Sequence, residues 1–171
     1  MRRTRTTQPG FSLIEATMAS AILLFAVVAL TQSLVAGQGQ TYKALHSARA
    51  VSLADALLEE VLSQPWNDPD GESTPGPDAD ESDRADFDNL DDYHGYTEAA
   101  GALADAAGVT YGALHQGFDR AVAVVPASTS DPTLGEREGV EITVTVSDET
   151  GRAWTVRRFV GASTATAGAG S

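Results

Sequence analysis

The hydrophobic residues of this 171-residue chain are most concentrated near its beginning. From Phe11 to Ala36 the sequence is largely apolar and contains a single charged residue, Glu15. At about 1.5 Å of rise per residue, residues 16–30 with their flanks are long enough to cross the roughly 30 Å hydrocarbon core of a bilayer. The pattern predicts that residues 11–36 form a membrane-spanning helix.

The helical pattern continues beyond this predicted span. No proline occurs between Pro9 and Pro65, and apolar residues recur at intervals of three or four. These residues are Leu45, Ala48, Val51, Ala54, Leu58 and Val61. We therefore predict that residues 37–64 extend the same helix as an amphipathic segment, whose apolar face lies on a small folded domain.

The composition becomes acidic after the predicted helix. Twelve aspartates and glutamates lie between Asp68 and Glu98, and Arg84 is the only lysine or arginine in that stretch. Such a sequence buries little apolar surface, so residues 65–117 are predicted to form a long loop, acidic at first and then rich in alanine and glycine. A short helix is predicted within the alanine-rich part, at residues 99–107.

Three segments with the character of β-strands follow, at residues 118–125, 140–147 and 154–160. The middle segment alternates, with one apolar face formed by Val140, Ile142, Val144 and Val146. Asp148 to Gly151 supply a turn, so the last two segments should form an antiparallel hairpin. The sequence predicts an α+β fold, in which the long N-terminal helix packs on an antiparallel sheet of about three strands within residues 118–160. A flexible tail is predicted at residues 161–171.

The charge balance restricts the classes of partner and chemistry. The chain has 11 lysines and arginines against 24 aspartates and glutamates, a formal charge of −13, which repels nucleic-acid phosphates. It has no cysteine, so it can form neither a disulfide nor a thiolate zinc site. Neither a phosphate-binding loop nor a nucleophile elbow is present, and the three histidines are not spaced as a metal pair. We expect no direct nucleic-acid binding and no enzymatic activity.

Residues 1–10 are polar and basic, and the change to apolar sequence occurs between Gly10 and Phe11. The sequence Gly10-Phe-Ser-Leu-Ile-Glu-Ala16 resembles the cleavage motif of the type IV pilin and type II secretion pseudopilin superfamily. That motif has a small residue before the cut, a hydrophobic first mature residue and an acidic fifth residue, and Glu15 takes the last place. The resemblance covers roughly the first sixty-five residues.

The resemblance implies that a prepilin peptidase removes residues 1–10 as a leader and methylates the new amino group of Phe11. It also implies a structural function, as a minor subunit of a type IV pilus or of a type II secretion pseudopilus. The partners would be other pilin or pseudopilin subunits and an inner-membrane assembly platform, and residues 11–36 would enter the filament core. Residues 53–62 look most like the minor pilin V or minor pseudopilin I subclasses.

The distribution of charge predicts an orientation in the membrane. Three leader arginines precede the span and acidic residues dominate after it, which places the N-terminus in the cytoplasm. The chain would then be a single-pass inner-membrane protein, in contact with lipid, before it joins an extracytoplasmic filament. Removal of the leader leaves eight basic residues against 24 acidic ones, a formal charge of −16.

Glu15 places a charged side chain within the predicted membrane span. A lone charge at mid-membrane costs about 2.5 to 3.5 kcal/mol on insertion scales, so the carboxylate needs a partner. After cleavage, the amine of Phe11 in one subunit can meet Glu15 of its neighbour and set the axial register of assembly. The other interpretation is a glutamate near the membrane interface that reaches water.

Three other interpretations of the N-terminus remain. Arg2-Arg3 could belong to a twin-arginine export signal, and the apolar run could be an ordinary secretory signal, but no clean cleavage site closes that run and the helical pattern continues past it. The alternative function is a membrane-anchored extracytoplasmic binding protein, whose acidic loop captures cations or a basic partner. Processing separates this protein from a pilin, because an anchor would keep residues 1–10.

The densest group of oxygen ligands lies at residues 87–96. Carboxylate oxygens suit calcium, and the candidate ligands there are Asp88, Asp91 and Asp92. An acidic run is also typical of a solvated loop, which would bind nothing. The sequence therefore predicts no cofactor other than, in the first of these two interpretations, a calcium ion.

Overall fold

A computed structural model gives the structure of the protein and describes residues 10–66, 68, 75–131 and 135–162. Residues 1–9 of the predicted leader and residues 163–171 of the predicted tail lie outside the described residues. The chain forms two compact units, Met1–Leu45 and His46–Ser171, and each is described by itself.

Helix α1, Leu13–Ser63, is a single 51-residue helix, as the absence of proline predicted. Its N-terminal part is long and apolar enough to cross a membrane, and is thus a candidate membrane span. In the first unit, every residue from Gly10 to Leu45 is exposed. This part of α1 therefore presents apolar side chains on all sides.

The second unit contains an antiparallel sheet of four strands in the order β1-β2-β3-β4. The strands are β1, Thr97–Glu98; β2, Phe118–Asp131; β3, Gly135–Asp148; and β4, Ala153–Gly161. The α+β class is confirmed, and so is the hairpin of the last two strands, whose turn contains Gly151 at a φ of +78°. The sheet has one strand more than the predicted three, because two-residue β1 is too short to give a periodic signal.

The core lies between the C-terminal half of α1 and the sheet. The buried helix residues are Ala50, Leu53, Ala54, Leu57, Leu58 and Val61. They belong to one apolar cluster with Ile142, Val144 and Val146 of β3, which confirms the predicted apolar face of that strand, while Val140 is half-buried. The predicted helix face was wrong in its first half, since Leu45, Ala48 and Val51 are exposed. Helix α1 carries apolar residues on more than one stripe, and only the position of the sheet selects the stripe that is buried.

The described part of the segment between α1 and β2 consists mostly of turns apart from β1, and the predicted helix at residues 99–107 is absent. Gly101 and Gly108 have φ angles of +83° and +77°, which a right-handed helix does not contain. An isolated bridge pairs Ala104 with Thr110 instead. A short 3-10 helix, Ala113–His115, precedes β2.

Three residues of the predicted acidic loop are buried in the core: Phe87, Leu90 and Tyr93. The rings of Phe87 and Tyr93 meet edge to face with their centroids 5.0 Å apart. Trp66 and Tyr96 are partly buried against the same cluster, as expected of aromatic residues that anchor a loop. This part of the segment is therefore held to the domain by apolar packing, although its composition is acidic.

Candidate functional site

The residues of the N-terminal motif lie at the beginning of α1. Gly10 and Phe11 precede the first helical residue, and Glu15 is the acidic residue of the first turn. All three are exposed, Phe11 to 81%. A Cβ added at Gly10 would meet no heavy atom of the described residues within 4 Å, so the fold of this chain does not itself require glycine there.

Glu15 differs from four hydroxyl side chains in the apolar half of α1. Four hydroxyl groups there donate hydrogen bonds of 2.8 to 3.0 Å to helix carbonyls three or four residues earlier, which satisfies them without water. They belong to Thr17, Ser20, Thr31 and Thr41. No hydrogen bond or ion pair joins the carboxylate of Glu15 to another of the described residues. In an apolar environment, its partner must come from outside this part of the chain.

A second group of polar residues lies in the segment between α1 and β2. Glu81, Asp88 and Asp92 each offer one carboxylate oxygen, and these three atoms lie within 4.8 Å of one another. Asp88 is exposed, Glu81 is half-buried, and Asp92 is only 1% exposed. We refer to these three residues as the carboxylate cluster.

The two oxygens of Asp92 have different surroundings. Oδ2 accepts hydrogen bonds from the backbone N–H groups of Asp88, at 3.1 Å, and of Asn89, at 2.8 Å. Oδ1 is buried and has no hydrogen-bond partner among the described residues. Glu81 is also held by the backbone, because its Oε2 accepts from the N–H of Asp78 at 3.0 Å. The cluster is therefore fixed by main-chain donors, while one of its buried oxygens is left unpaired.

Burial disfavours the ionised form of two members of the cluster, Asp92 and Glu81. Burial raises the pKa of Asp92 above its ordinary value, although the N–H groups of Asn89 and Asp88 act in the opposite direction. Burial, and after it the charge of Asp92, raises the pKa of Glu81. Burial also raises the pKa of the neighbouring Asp91, with contributions from the charges of Asp68 and Glu81. Burial, with a smaller contribution from neighbouring negative charges, thus favours the neutral form of these three carboxyl groups.

The structure brings together only part of the calcium site predicted from the sequence. Asp88 and Asp92 belong to the carboxylate cluster, and Asp91 does not. The third member is Glu81, which the sequence did not single out because it stands seven residues before Asp88. Its participation depends on a reversal of the chain between these two positions, and local spacing does not reveal such a reversal.

A buried ion-pair network was also missed. The guanidinium group of Arg84 donates to both Glu60 of α1 and Glu98 of β1. Arg120 of β2, only 1% exposed, donates to the same Glu98 and to the backbone carbonyl of Ala104. Each charged group of this network has a partner of opposite charge, so the arrangement joins α1, the following segment and the sheet. None of these four described side chains, Arg84, Arg120, Glu60 and Glu98, is therefore left as an unpaired charge that could bind a ligand or act as a catalyst.

The three histidines occupy separate places in the second unit. Nε2 of His46 lies 3.0 Å from Oδ2 of Asp148. Nδ1 of His94 accepts a hydrogen bond of 3.2 Å from the backbone N–H of Val124. His115 ends the short 3-10 helix before β2. Two of them therefore have structural contacts with the sheet.

A comparison of the chain with protein-family models, with curated proteins and with solved structures found no match. Among the described residues, two features are candidates for a functional role. They are the N-terminal motif on an exposed apolar helix and the carboxylate cluster. The first combines an exposed apolar surface with a carboxylate. The second contains a buried carboxylate oxygen without a hydrogen-bond partner among the described residues.

Proposed function

We propose that this protein is a pilin-like structural subunit, processed after Gly10 and assembled through its N-terminal helix into a type IV pilus or a type II secretion pseudopilus. The observation that carries the proposal is the sequence Gly10-Phe11 with Glu15 four residues later, at the start of a 51-residue helix. The orientation with the N-terminus in the cytoplasm belongs to the same proposal, and so does the absence of enzymatic activity.

The exposure of α1 supports assembly through this helix. Its apolar side chains from Phe11 to Leu45 are exposed in the isolated chain, and soluble monomers rarely expose a contiguous apolar surface of that size. Lipid can cover this surface before assembly, and the helices of neighbouring subunits can cover it afterwards. In the second unit, Ala48, Val51 and Asp55 of α1 are also exposed.

The carboxylate of Glu15, which has no partner among the described residues, supports a polar contact between subunits. Cleavage after Gly10 would give Phe11 a cationic amine, which an apolar surrounding would drive into contact with a carboxylate. In a helical stack of subunits, this amine can meet the carboxylate of Glu15 in a neighbouring subunit. A subunit displaced along the filament axis would lose the pair, and the pair can therefore define the register.

Mass spectrometry of the N-terminus of the native protein tests this proposal. We expect a mature chain that begins with N-methylated Phe11. Gly10→Val should abolish processing while the protein still enters the membrane, and Ser12→Ala, next to the same junction, should leave processing unchanged. A native protein that retains Met1 to Gly10 would instead be the membrane-anchored binding protein, and the pilin proposal would be wrong.

A further inference from the structure

We propose that an open cavity in the second unit binds a lysine side chain of a partner protein. The cavity is separate from the N-terminal motif and from the carboxylate cluster, because none of those residues lines it. The inference therefore does not rest on the proposed function, and the protein that supplies the lysine need not be a filament subunit.

The size and the walls of the cavity fit an aliphatic stem. Its volume is about 550 Å³, within the range of roughly 300 to 1,000 Å³ that is typical of ligand pockets. Alanine methyl groups form much of the wall, from Ala85, Ala99, Ala102, Ala104, Ala106 and Ala107. The four-carbon stem of a lysine can lie on such methyl groups while its ammonium group stays beside polar groups and water.

Two of the four carboxylates that line the cavity are already neutralised. Both oxygens of Glu60 accept from Arg84, and the oxygens of Glu98 accept from Arg84 and from Arg120. Two arginines thus balance two glutamates. This part of the lining leaves no net positive charge for an anionic ligand.

The other two carboxylates, Asp83 and Asp105, have no basic partner among the described residues. Oδ1 of Asp105 accepts from the backbone N–H groups of Ala107, at 3.0 Å, and of Val109, at 2.9 Å, which fixes this carboxylate at the wall. The side chain of Asp83 is exposed and makes no hydrogen bond or ion pair within the described part of the chain. Two negative charges of the lining therefore remain for a cationic ligand.

The arrangement favours an organic cation over a metal ion. Neither Asp83 nor Asp105 belongs to a group of three metal-ligating side chains in the described ranges. Lysine suits the site better than arginine, because Oδ1 of Asp105 is occupied by the backbone and cannot join a bidentate pair. Val109, bonded to Asp105 through its N–H, is 63% exposed, so residues that flank the lysine in a partner chain gain an apolar contact that a free amine would not cover.

The test follows the backbone amide resonances of the isotope-labelled full chain in detergent. The chain is titrated with a short peptide that has one lysine between alanines and both ends blocked. The amide signals of Ala102, Ala107 and Gly108 should shift saturably, with a dissociation constant of about 1 mM, because an exposed ion pair and a small apolar contact give weak binding. The same peptide with its lysine acetylated keeps the stem but loses the charge, and it should give no saturable shift.

Four variants separate this cavity from the acidic surface as a whole. Ala102→Leu fills the cavity without changing a charge and should abolish the saturable shifts, whereas Ala100→Leu makes the same change at an exposed position that does not line the cavity and should bind normally. Asp105→Asn keeps an oxygen for the backbone N–H groups but removes the charge, and should weaken binding about three- to fivefold. Asp80→Asn removes the same charge from an exposed position outside the cavity and should leave the affinity unchanged.

The proposal is overturned if the acetylated peptide binds as tightly as the lysine peptide, or if Ala102→Leu keeps the affinity of the unmodified chain. Equal weakening by Asp105→Asn and Asp80→Asn would also overturn it, because the peptide would then meet the acidic surface in general. If the spectrum of Ala102→Leu shows loss of the fold, the comparison of Asp105→Asn with Asp80→Asn decides the point.

Discussion

Nε2 of His46 in α1 lies 3.0 Å from Oδ2 of Asp148 at the end of β3, which joins two positions 102 residues apart. Oδ1 of the same aspartate accepts hydrogen bonds from the backbone N–H and the hydroxyl of Thr150 and from the backbone N–H of Arg152. The Asp148 carboxylate therefore fixes the β3–β4 turn and also attaches it to the helix.

Asp148→Asn should lower the melting temperature at pH 7. The hydroxyl of Thr150, followed by the N–H of Arg152 and the ring of His46, lowers the pKa of Asp148 well below its ordinary range. A lowered pKa in the folded state contributes stability above the unfolded pKa of about 3.9, and this contribution is lost as the pH falls towards the folded pKa. The difference between Asp148→Asn and the unmodified chain should therefore shrink below about pH 4.

Thermal unfolding in detergent between pH 7 and pH 2.5 measures this dependence. Asp55→Asn, at an exposed position of α1, is the matched control and should show no comparable difference at any pH. If Asp148→Asn lowers the melting temperature by the same amount at every pH in this range, the charge of the carboxylate is not what stabilises the turn.

Arg120→Met should destabilise the domain by about 3 to 5 kcal/mol. Arg120 is 1% exposed and donates to the carboxylate of Glu98 and to the carbonyl groups of Leu53 and Ala104. Methionine fills much of the volume but leaves these acceptors without that donor. Denaturant unfolding measures the free energy of unfolding. The control is Arg157→Met, because the exposed side chain of Arg157 lies 3.8 Å from Glu141. This substitution should change the free energy of unfolding by less than about 1 kcal/mol. Equal effects of the two substitutions would contradict a buried network.

Leu57→Ala and Leu45→Ala form a matched pair that tests which stripe of α1 is in the core. Leu57 is fully buried, so its truncation should cost about 2 to 5 kcal/mol. Leu45 is 52% exposed in the isolated chain, and its truncation should cost less than about 1 kcal/mol in detergent. Unfolding of both variants under the same conditions decides the point. A larger loss for Leu45→Ala would restore the helix face predicted from the sequence.

Glu15→Val should leave membrane insertion and cleavage near normal and reduce the amount of the protein found in filaments at least about tenfold. The substitution favours lipid but removes the carboxylate that would pair with the amine of Phe11, and burying an unpaired amine is costly. Immunoblots of purified filaments against membrane fractions measure the ratio. Glu59→Val, at an exposed position of the same helix, should be incorporated normally. Incorporation of Glu15→Val at the unmodified level would exclude the pairing.

Local sequence patterns were sufficient to predict the long helix and the main strands. The absence of proline between Pro9 and Pro65 predicts a helix close to Leu13–Ser63, and the alternation of Ile142, Val144 and Val146 identifies the buried face of β3. Strands β2 and β3 nevertheless extend further than predicted, to Asp131 and from Gly135. Pairing with a neighbouring strand can hold polar residues in a strand, which a count of apolar positions does not reveal.

The sequence by itself determined the resemblance at Gly10, Phe11 and Glu15, because that resemblance depends only on the order of residues along the chain. The tertiary structure decided which stripe of α1 is buried and that Glu81 joins Asp88 and Asp92. Helical periodicity fixes which side chains share a face, but the partner surface selects the face that is buried. The cluster depends on the turn between Glu81 and Asp88, and spacing along the sequence carries no information about the distance between their side chains.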